Sequence, residues 1–322
     1  MKKIIKILAA LLCVMVLVSC GAKPEPEDPV TPDDPGTDAI VVKDDLGREI
    51  TLKEAPKKVA ALMGSFAETW LLAGGELVAA PKDAWEDFEL DLPSSVEDLG
   101  SYQKVSAEAL FALDTDLIIA SANTKAHMEL KDTLESAGLN VLFFDVNGFE
   151  DYLRMLKVCT DITGREDLYE TNGLKVQEQI ETVKERVKAT IAEKGAPRVL
   201  FVRTAASGIH VKGSEGTVLG LMLKDLGCIN VADGSDLLEN LSIEKIIEED
   251  PDMILIVIQG SDVDGAYQTL EENLSGNPAW KGLTAVENGK VFVMDKKLFH
   301  LKPNNRWGTA YAQLEFILFG IQ

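Results

Sequence analysis

Residues 106–120 read SAEALFALDTDLIIA, and residues 242–256 read SIEKIIEEDPDMILI. The serine, the glutamate, both aspartates and one isoleucine of the first segment return in the second at a constant offset of 136 residues. Each copy predicts a helix capped by its serine, a tight turn at its aspartates and then a strand. The strands, over Leu117–Ala120 and Met253–Ile258, are continuously apolar, which is typical of parallel sheets buried on both faces. The repeat therefore predicts two related α/β lobes.

Other segments fit the same alternation of strands and helices. PKKVAAL at residues 56–62 and PRVLFV at residues 197–202 predict matching first strands of the two lobes. Ser65 and Glu68 have the spacing of a capping box, which predicts the start of a helix that runs to the glycine pair at 74 and 75. Strands that alternate with helices in this way favour parallel sheets with crossover helices.

A helical pattern over residues 149–194 separates the two lobes and is broken only near Gly164 and Gly173. A helix of ~15 residues spans ~22 Å and would restrict the lobes to small hinge motions. The predicted fold is α/β, with two Rossmann-like lobes of parallel sheet joined by a long helix and a ligand cleft between them. The predicted boundaries are residues 39–148 for the N-terminal lobe, 149–165 for the interlobe helix and 166–322 for the C-terminal lobe.

The first twenty residues have the pattern of a lipoprotein signal peptide. Three lysines precede 12 apolar residues, 7–18, and the sequence then reaches Ser19 and Cys20. The apolar run is shorter than the ~20 residues that span a bilayer, so cleavage before an acylated Cys20 is expected. Residues 21–38 hold five prolines and six acidic residues, which predicts a disordered tether that holds the folded part away from the membrane.

The charge of the chain restricts its partners. The formal net charge is −21, and removal of three signal-peptide lysines leaves 29 Lys+Arg against 53 Asp+Glu, or −24. A chain this acidic is not expected to bind nucleic acid or anionic headgroups, so the acyl group is the expected membrane contact of an extracytoplasmic protein. The two remaining cysteines, Cys159 and Cys228, have no metal-type spacing and are either a disulfide or two buried thiols.

The order of several short motifs resembles the helical-backbone, or class III, periplasmic substrate-binding proteins of ABC importers for ferric siderophores, haem and cobalamin. The resemblance covers roughly residues 40–320. It implies a monomeric two-lobed protein without enzymatic activity or resident cofactor, which delivers a metal chelate to a permease dimer with its ATPase. The motifs are DLGREITL (45–52), Lys58-Val59, Ser106-x-Glu108, LESAG (134–138), Ser242-x-Glu244 with Asp250 and Asp252, and PAWKGLTAVENGKVF (278–292).

Glu108 and Glu244 carry the expected permease contacts. In the resembling family one glutamate of each lobe docks onto permease arginines, and these two residues match those positions. Each also lies two residues after a capping serine, where a carboxylate suits the helix dipole, so a capping role alone is the alternative. Duplicated positions are what a two-lobed protein needs to contact a two-fold symmetric permease.

The cleft is expected to be lined by residues that follow the carboxyl ends of predicted strands or lie in the adjoining loops, including the segment FHLKPNNRW at 299–307. For each residue the alternative is a loop side chain that only braces the cleft. The ligand-binding candidates are Met63, Trp85, Tyr102, Ser121, Asn123, Arg203, Gln259, His300 and Arg306.

The family's ligands differ in what they need from such a cleft. Cobalamin binders of the family grip the corrin with tryptophans, whereas the matching positions here hold Tyr102, Ser121 and Leu238. For haem, Met63, Tyr102 or His300 would be the axial ligand.

A ferric siderophore is a bulky, oxygen-rich and often anionic chelate, which aromatic walls and cationic donors hold best. Trp85, Tyr102, Arg203 and Arg306 supply both kinds of group, so this ligand is expected first.

Two other classes of function compete. His127, His210 and His300 could together bind a bare Zn²⁺ or Mn²⁺ ion, although the alternation around His210 is typical of a strand. A chelatase-like enzyme is the other alternative, because related two-lobed folds include chelatases. The sequence contains neither a Gly-x-Ser-x-Gly nor a His-Glu-x-x-His motif, which argues against a hydrolase.

Overall fold

The computed structural model describes residues 39–235 and 241–320. The expected signal peptide (1–20) with Cys20, the expected tether (21–38) and Leu238 lie outside the described residues. Within the described ranges, none of the helices is both long and apolar enough to cross a bilayer.

Residues 39–148 form a hairpin and a five-stranded sheet. The strands are β1 (Ile40–Lys43), β2 (Glu49–Leu52), β3 (Val59–Ala61), β4 (Ala79–Ala80), β5 (Glu97–Asp98), β6 (Leu117–Ser121) and β7 (Asn140–Phe144). The helices of the same lobe are α1 (Gly64–Leu72), α2 (Asp83–Glu86), α3 (Ala107–Ala112) and α4 (Lys125–Ser136). The sheet is parallel throughout, in the order β5-β4-β3-β6-β7, while β1 and β2 pair as an antiparallel hairpin.

The connection between the lobes is helical, as the sequence predicted. It consists of α5 (Phe149–Thr163), α6 (Glu166–Tyr169), a π-helical turn (Glu170–Leu174) and α7 (Lys175–Lys194). Both expected breaks are present, because Gly164 ends α5 at φ 69° and Gly173 lies in the π-helical turn. A Cβ at Gly173 would lie 2.8 Å from the side chain of Leu153, so a larger residue there would displace that side chain.

The second sheet occupies the C-terminal part of the chain. Its strands are β8 (Arg198–Ala205), β9 (Gly208–Val211), β10 (Ile229–Asn230), β11 (Met253–Ile258) and β12 (Val291–Met294). The helices are α8 (Val218–Asp225), α9 (Ile243–Glu249), α10 (Val263–Leu270), α11 (Thr284–Glu287), α12 (Lys296–Phe299) and α13 (Trp307–Phe319), with a π-helical turn at Glu271–Ser275 and 3-10 turns at Pro278–Gly282 and Asn304–Arg306. Strands β10-β8-β11-β12 are parallel, and β9 pairs antiparallel with β8.

The repeated strands are buried on both faces. In β6, Leu117 and Ile119 belong to one apolar cluster while Ile118 and Ala120 belong to another on the opposite side of the sheet. Strand β11 divides in the same way, with successive residues in two different clusters. Because both faces are covered, both strands are continuously apolar. The prediction of two α/β lobes with parallel sheets is confirmed.

The serines and the second aspartates of the repeat have the same structural roles in both lobes. The Ser106 and Ser242 hydroxyls accept N–H bonds from the third helical residue, which confirms both as N-caps. The Asp116 carboxylate accepts the Lys58 N–H at 3.0 Å, just before β3, and Asp252 accepts the Arg198 N–H at 2.8 Å, at the start of β8. Each second aspartate therefore ties its loop to the first strand of its own lobe.

One local prediction is wrong. Helix α1 begins at Gly64 without a side-chain cap, so Ser65 and Glu68 do not form a capping box. The Glu68 carboxylate instead binds Asn304 and Arg306, which lie 236 and 238 residues further along the chain. A tertiary partner therefore replaces the local one, and the serine hydroxyl is left buried without a partner in the described structure.

Cys159 and Cys228 are free thiols. Burial raises the pKa of the Cys159 thiol well above its ordinary value and that of Cys228 to about 12, which disfavours the reactive thiolate form of both.

Candidate functional site

A cavity of about 380 Å³ lies between the two lobes at the carboxyl ends of their strands. This volume falls within the range of small-molecule sites. The N-terminal lobe contributes Met63, Ser65, Asp83, Asp87, Phe88, Tyr102, Val146 and Asn147, and the C-terminal part contributes Phe201, Arg203, Gly216, Thr217, Val218, Gln259, Gly260, Lys296, Phe299, His300, Leu301 and Lys302.

Five of the nine predicted ligand-binding residues line this cavity: Met63, Tyr102, Arg203, Gln259 and His300. They come together because the carboxyl ends of the parallel strands meet at the same edge of each sheet, as predicted from the sequence. Met63 follows β3, Arg203 lies near the end of β8, and Gln259 follows β11, where its N–H donates to the Thr204 carbonyl at 2.8 Å.

A buried histidine fixes the Tyr102 loop. His127 Nδ1 accepts the Ser121 N–H at 3.1 Å, so the ring proton resides on Nε2 and is donated to the Tyr102 carbonyl at 2.8 Å. Burial lowers the pKa of this imidazole, which keeps it neutral for that role. His127 and Ser121 therefore brace the cavity wall from behind.

The arrangement of the histidines does not support the bare-metal alternative. His210 lies exposed on β9, as its alternating context indicated, and His127 is committed to two hydrogen bonds. Over residues 39–235 and 241–320, no three His, Cys, Asp or Glu side chains cluster closely enough to hold a metal ion.

Two cations in the cavity wall have no carboxylate partner. Neither Arg203 nor Lys302 has an acidic oxygen within 4.0 Å in the described part of the chain. Arg203 Nε is buried without an acceptor, and Lys302 Nζ lies 6.0 Å from the ring centroid of Phe66. Burial lowers the pKa of both side chains, which means that their charged forms are poorly solvated.

The rest of the C-terminal wall adds a neutral imidazole and the N-terminal end of a helix. Burial, assisted by Arg203 and Lys296, lowers the pKa of His300 to about 4, so its imidazole is neutral at physiological pH. Residues 216–218 place the N-terminal end of α8 at the cavity, where the helix dipole favours negative charge. This wall therefore suits an anion with several acceptor oxygens.

The N-terminal wall supplies carboxylates. Lys296 Nζ binds Asp87 at 2.6 Å, which neutralises that pair and joins the two walls. Burial raises the pKa of Asp83, and its Oδ2 accepts the Gly64 N–H at 3.0 Å. Gly64 is needed for this approach, because a Cβ would lie 2.7 Å from the Phe88 ring and 2.9 Å from that oxygen.

The structure places the other predicted residues outside the cavity. Ser121 is buried beside His127, and Trp85 is half-buried against the core of the N-terminal lobe. Asn123 is exposed and donates to Asp145, at an adjoining surface pocket.

The expectation that Arg306 would supply a cation to the cleft is wrong. Its guanidinium makes two bonds to the Glu68 carboxylate, at 2.6 and 3.0 Å, and does not line the cavity. Asn304 donates to the same carboxylate at 2.6 Å. The charge of Arg306 is therefore used to attach the loop after α12 to helix α1.

Lys302 and Lys296 are the cavity cations that were not singled out from the sequence. Lys302 lies in the quoted segment 299–307, where Arg306 was preferred, and Lys296 follows the carboxyl end of β12. The positional rule that selected Gln259 after β11 would also have selected Lys296. The sequence did not reveal that Lys302 and not Arg306 faces the cavity, because Arg306 is held by Glu68, which lies 238 residues away.

Glu108 and Glu244 lie away from the cavity, on the exposed first turns of α3 and α9. The Ser106 hydroxyl donates to Glu108 at 2.6 Å, and the Ser242 hydroxyl donates to Glu244 at 2.8 Å. These bonds and the helix backbone hold the pKa of both carboxyls below its usual value. The two glutamates are thus ionised and held in the same geometry.

Comparison with known proteins agrees with this architecture. A family model described as periplasmic binding protein matches residues 59–298. An iron(3+)-hydroxamate-binding protein of Bacillus subtilis (strain 168) is 26% identical over 319 residues, covering 96% of this chain and 94% of the relative. A substrate-binding lipoprotein of an ABC transporter, also from B. subtilis (strain 168), is 25% identical over 304 residues, covering 90% and 89%.

A solved structure shares the fold. The crystal structure of a periplasmic haem-binding protein from Pseudomonas aeruginosa superposes with a TM-score of 0.65 at 24% identity, covering 82% of this chain and 93% of the other. The family match spans well over half of the chain, and it confirms the resemblance that the sequence motifs indicated. Members of the matched family are binding proteins, so the alternative of a chelatase-like enzyme is wrong. The chain belongs to the periplasmic binding protein family.

Proposed function

We propose that the chain is the lipid-anchored, monomeric substrate-binding protein of an ABC importer, and that it captures an anionic ferric chelate, a ferric siderophore in the first place. The observation that carries the proposal is a pair of cations in the wall of the interlobe cavity, Arg203 and Lys302, which have no carboxylate oxygen within 4.0 Å among the described residues. The relatives support it by name, since one binds iron(3+)-hydroxamate and another serves an ABC transporter. The chelate is cargo, and no resident cofactor is proposed.

The electrostatics of the cavity support an anionic ligand. Two partly desolvated cations raise the free energy of the empty site, and anionic oxygens that hydrogen-bond to them would lower it. The protein as a whole carries a charge of −21, so the long-range field repels an anion and the local patch must outweigh it. Tyr102 and Phe88 add aromatic surface on the opposite wall.

A ligand titration tests this proposal. Purified protein would be titrated with a ferric catecholate, a ferric hydroxamate, ferric citrate, haemin and cobalamin, with intrinsic fluorescence as the readout. We expect the tightest binding among the ferric chelates, and weaker binding of the same chelators without iron. Tightest binding of cobalamin, or no binding of any of the five, would refute the proposal.

Haem is the second candidate, because Met63, Tyr102 and His300 all line the cavity. The lowered pKa of His300 keeps its imidazole in the neutral form that binds iron. Haemin that binds more tightly than the ferric chelates, with a shifted Soret band that His300→Ala changes, would favour haem over a siderophore.

The membrane attachment is a separate part of the proposal. Acylation at Cys20 is supported by the signal-peptide pattern of residues 1–20 and by a relative named as a lipoprotein. Cys20→Ser should release the protein from the membrane fraction into the soluble one. Retention of that variant in the membrane would refute acylation while leaving the binding role intact.

The importer contact is proposed to involve Glu108 and Glu244. Their ionised carboxylates are exposed, stand in the same geometry in the two lobes and lie away from the cavity. Replacing either with glutamine should leave ligand affinity unchanged and weaken uptake, because a charged contact to a permease arginine would be lost. A large loss of ligand affinity with unchanged uptake would contradict this assignment.

A further inference from the structure

The helices that carry Glu108 and Glu244 also carry exposed apolar side chains at equivalent positions. Phe111 is 40% exposed and Ile247 is 41% exposed. Each lies three residues after its glutamate, and the two positions differ by the same 136 residues as the rest of the repeat. Side chains at i and i+3 lie on one face of a helix, about 5–6 Å apart. Each lobe therefore presents a carboxylate and an apolar side chain together.

Neither apolar residue is needed for the core of its lobe. The preceding positions, Leu110 and Ile246, are fully buried, and they provide the inward contact of the two helices. Phe111 and Ile247 are thus additional apolar surface on helices whose buried positions are already filled. A single exposed apolar residue is ordinary, but two at equivalent positions beside equivalent glutamates form a repeated pattern.

We infer that Glu108 with Phe111, and Glu244 with Ile247, are two equivalent contact patches for the two halves of a two-fold symmetric membrane permease. The inference rests on the proposed importer function and adds to it an apolar determinant of docking. Each permease half would provide an arginine or lysine for the carboxylate and, one helical turn away, a pocket for the apolar side chain.

The surroundings of the patches favour a protein partner over a lipid surface. Exposed carboxylates accompany both, Asp116 in one lobe and Asp250 in the other, besides Asp114 and Glu248, which pair with Lys58 and Lys245. This local negative charge opposes contact with anionic headgroups but complements a basic protein surface. The equivalent placement in two lobes further indicates a partner that offers the same pocket twice.

Photo-crosslinking from both patches tests the inference. A benzoylphenylalanine would replace Phe111, Ile247 or, as the control, Phe316, in the full chain produced in its own cells. Phe316 is 49% exposed on α13, well separated in sequence from either patch. We expect positions 111 and 247 to give ultraviolet-dependent adducts with a polytopic permease subunit, identified by mass spectrometry, and position 316 to give none. Equal adducts at all three positions, or none at 111 and 247, would overturn the inference.

Serine variants provide a second measurement. Phe111→Ser and Ile247→Ser should each weaken binding to the reconstituted permease–ATPase complex about tenfold, the double variant more, and Phe316→Ser not at all. Unchanged binding of Phe111→Ser and Ile247→Ser, with Glu108→Gln and Glu244→Gln impaired, would overturn the apolar contact alone. If the unaltered protein supports no uptake, and the serine and glutamine variants bind the permease complex no differently from it, the proposed importer function is refuted as well. Chelate affinity of each variant, expected to be unchanged, reports on folding.

Discussion

The two walls of the interlobe cavity differ in charge, although they come from lobes that share a repeated segment. The N-terminal wall presents Asp83 and Asp87 with Tyr102, whereas the C-terminal wall presents Arg203 and Lys302. By contrast, the helices with Glu108 and Glu244 are nearly the same in both lobes. Equivalence has thus been kept on the surface proposed to meet a symmetric partner. It has been lost in the cavity, where one wall presents carboxylates and the other presents cations.

The largest effect is expected from removing the cation that distinguishes the C-terminal wall. Arg203→Ala should weaken binding of a ferric siderophore about ten- to a hundredfold, as for the loss of a charged hydrogen-bond partner worth ~1.5 to 3 kcal/mol. Fluorescence titration measures the change. Arg154→Ala is the control, because Arg154 binds Asp45 and Asp151 outside the cavity. Equal affinities of Arg203→Ala and the unaltered protein would show that the charge difference between the walls does not select the ligand.

The next effect concerns the contact of Glu68 on α1 with Arg306 and Asn304 in the loop after α12. Glu68→Ala should lower the free energy of unfolding by about 1–3 kcal/mol, because it leaves Arg306 without its carboxylate acceptor and leaves Asn304 with only the Ser65 carbonyl. The range is below that of fully buried pairs, since the Arg306 side chain is 35% exposed and Glu68 10%.

Urea unfolding would measure this, with Glu181→Ala as control because that side chain is 55% exposed in its ion pair with Lys184. If both variants lose the same small amount, the contact between α1 and the loop after α12 contributes little to stability.

The third prediction concerns pH and the neutral imidazole of the C-terminal wall. The unfolded chain takes up a proton at His300 below pH ~6.5, whereas the folded protein takes it up only near its lowered pKa of about 4. Folding stability should therefore fall as the pH drops from about 6.5 to about 4, and this residue should account for about 2–3 kcal/mol of the fall.

His300→Gln should remove that part of the pH dependence, as measured by urea unfolding at pH 6.5 and 4.5. His210→Gln serves as the control, because His210 is exposed on β9. An unchanged difference between the two pH values in His300→Gln would mean that burial does not suppress protonation of this side chain.

The smallest effect is expected where the two walls neutralise each other. Lys296 and Asp87 form a partly exposed pair, with side-chain exposures of 30% and 34%, so Asp87→Asn should change the free energy of unfolding by less than about 1 kcal/mol. Affinity for an anionic chelate should rise about two- to fivefold, because a negative charge leaves the cavity and Lys296 becomes available. A tenfold loss of affinity would instead show that Asp87 positions Lys296 for the ligand.

Local patterns made most of the fold predictable from the sequence. The serine caps, the turns at the aspartates and the apolar strands of the repeat can each be predicted from residues close in the chain, and the structure contains all of them. The bonds of Asp116 to Lys58 and of Asp252 to Arg198 span more than 50 residues and could not be predicted in this way. The cavity edge was predictable for Met63, Arg203 and Gln259 because parallel strands end together. The Glu68 assignment failed because its partner Arg306 is 238 residues away, and no local pattern carries that information. Because Arg306 is bound to Glu68, it is Lys302 and not Arg306 that supplies a cation to the cavity.

The segment from Asp295 to Arg306 also has a consequence for the order of events during folding. It lies after the last strand of the second sheet, yet it contributes Lys296, His300 and Lys302 to the cavity and binds α1 through Arg306. A chain that has folded both sheets but not yet docked this segment therefore still lacks Lys296 and Lys302, two of the three cations of its C-terminal wall. Capture of the proposed chelate must wait until this last segment has docked, so the sheets fold before the protein becomes able to bind its ligand.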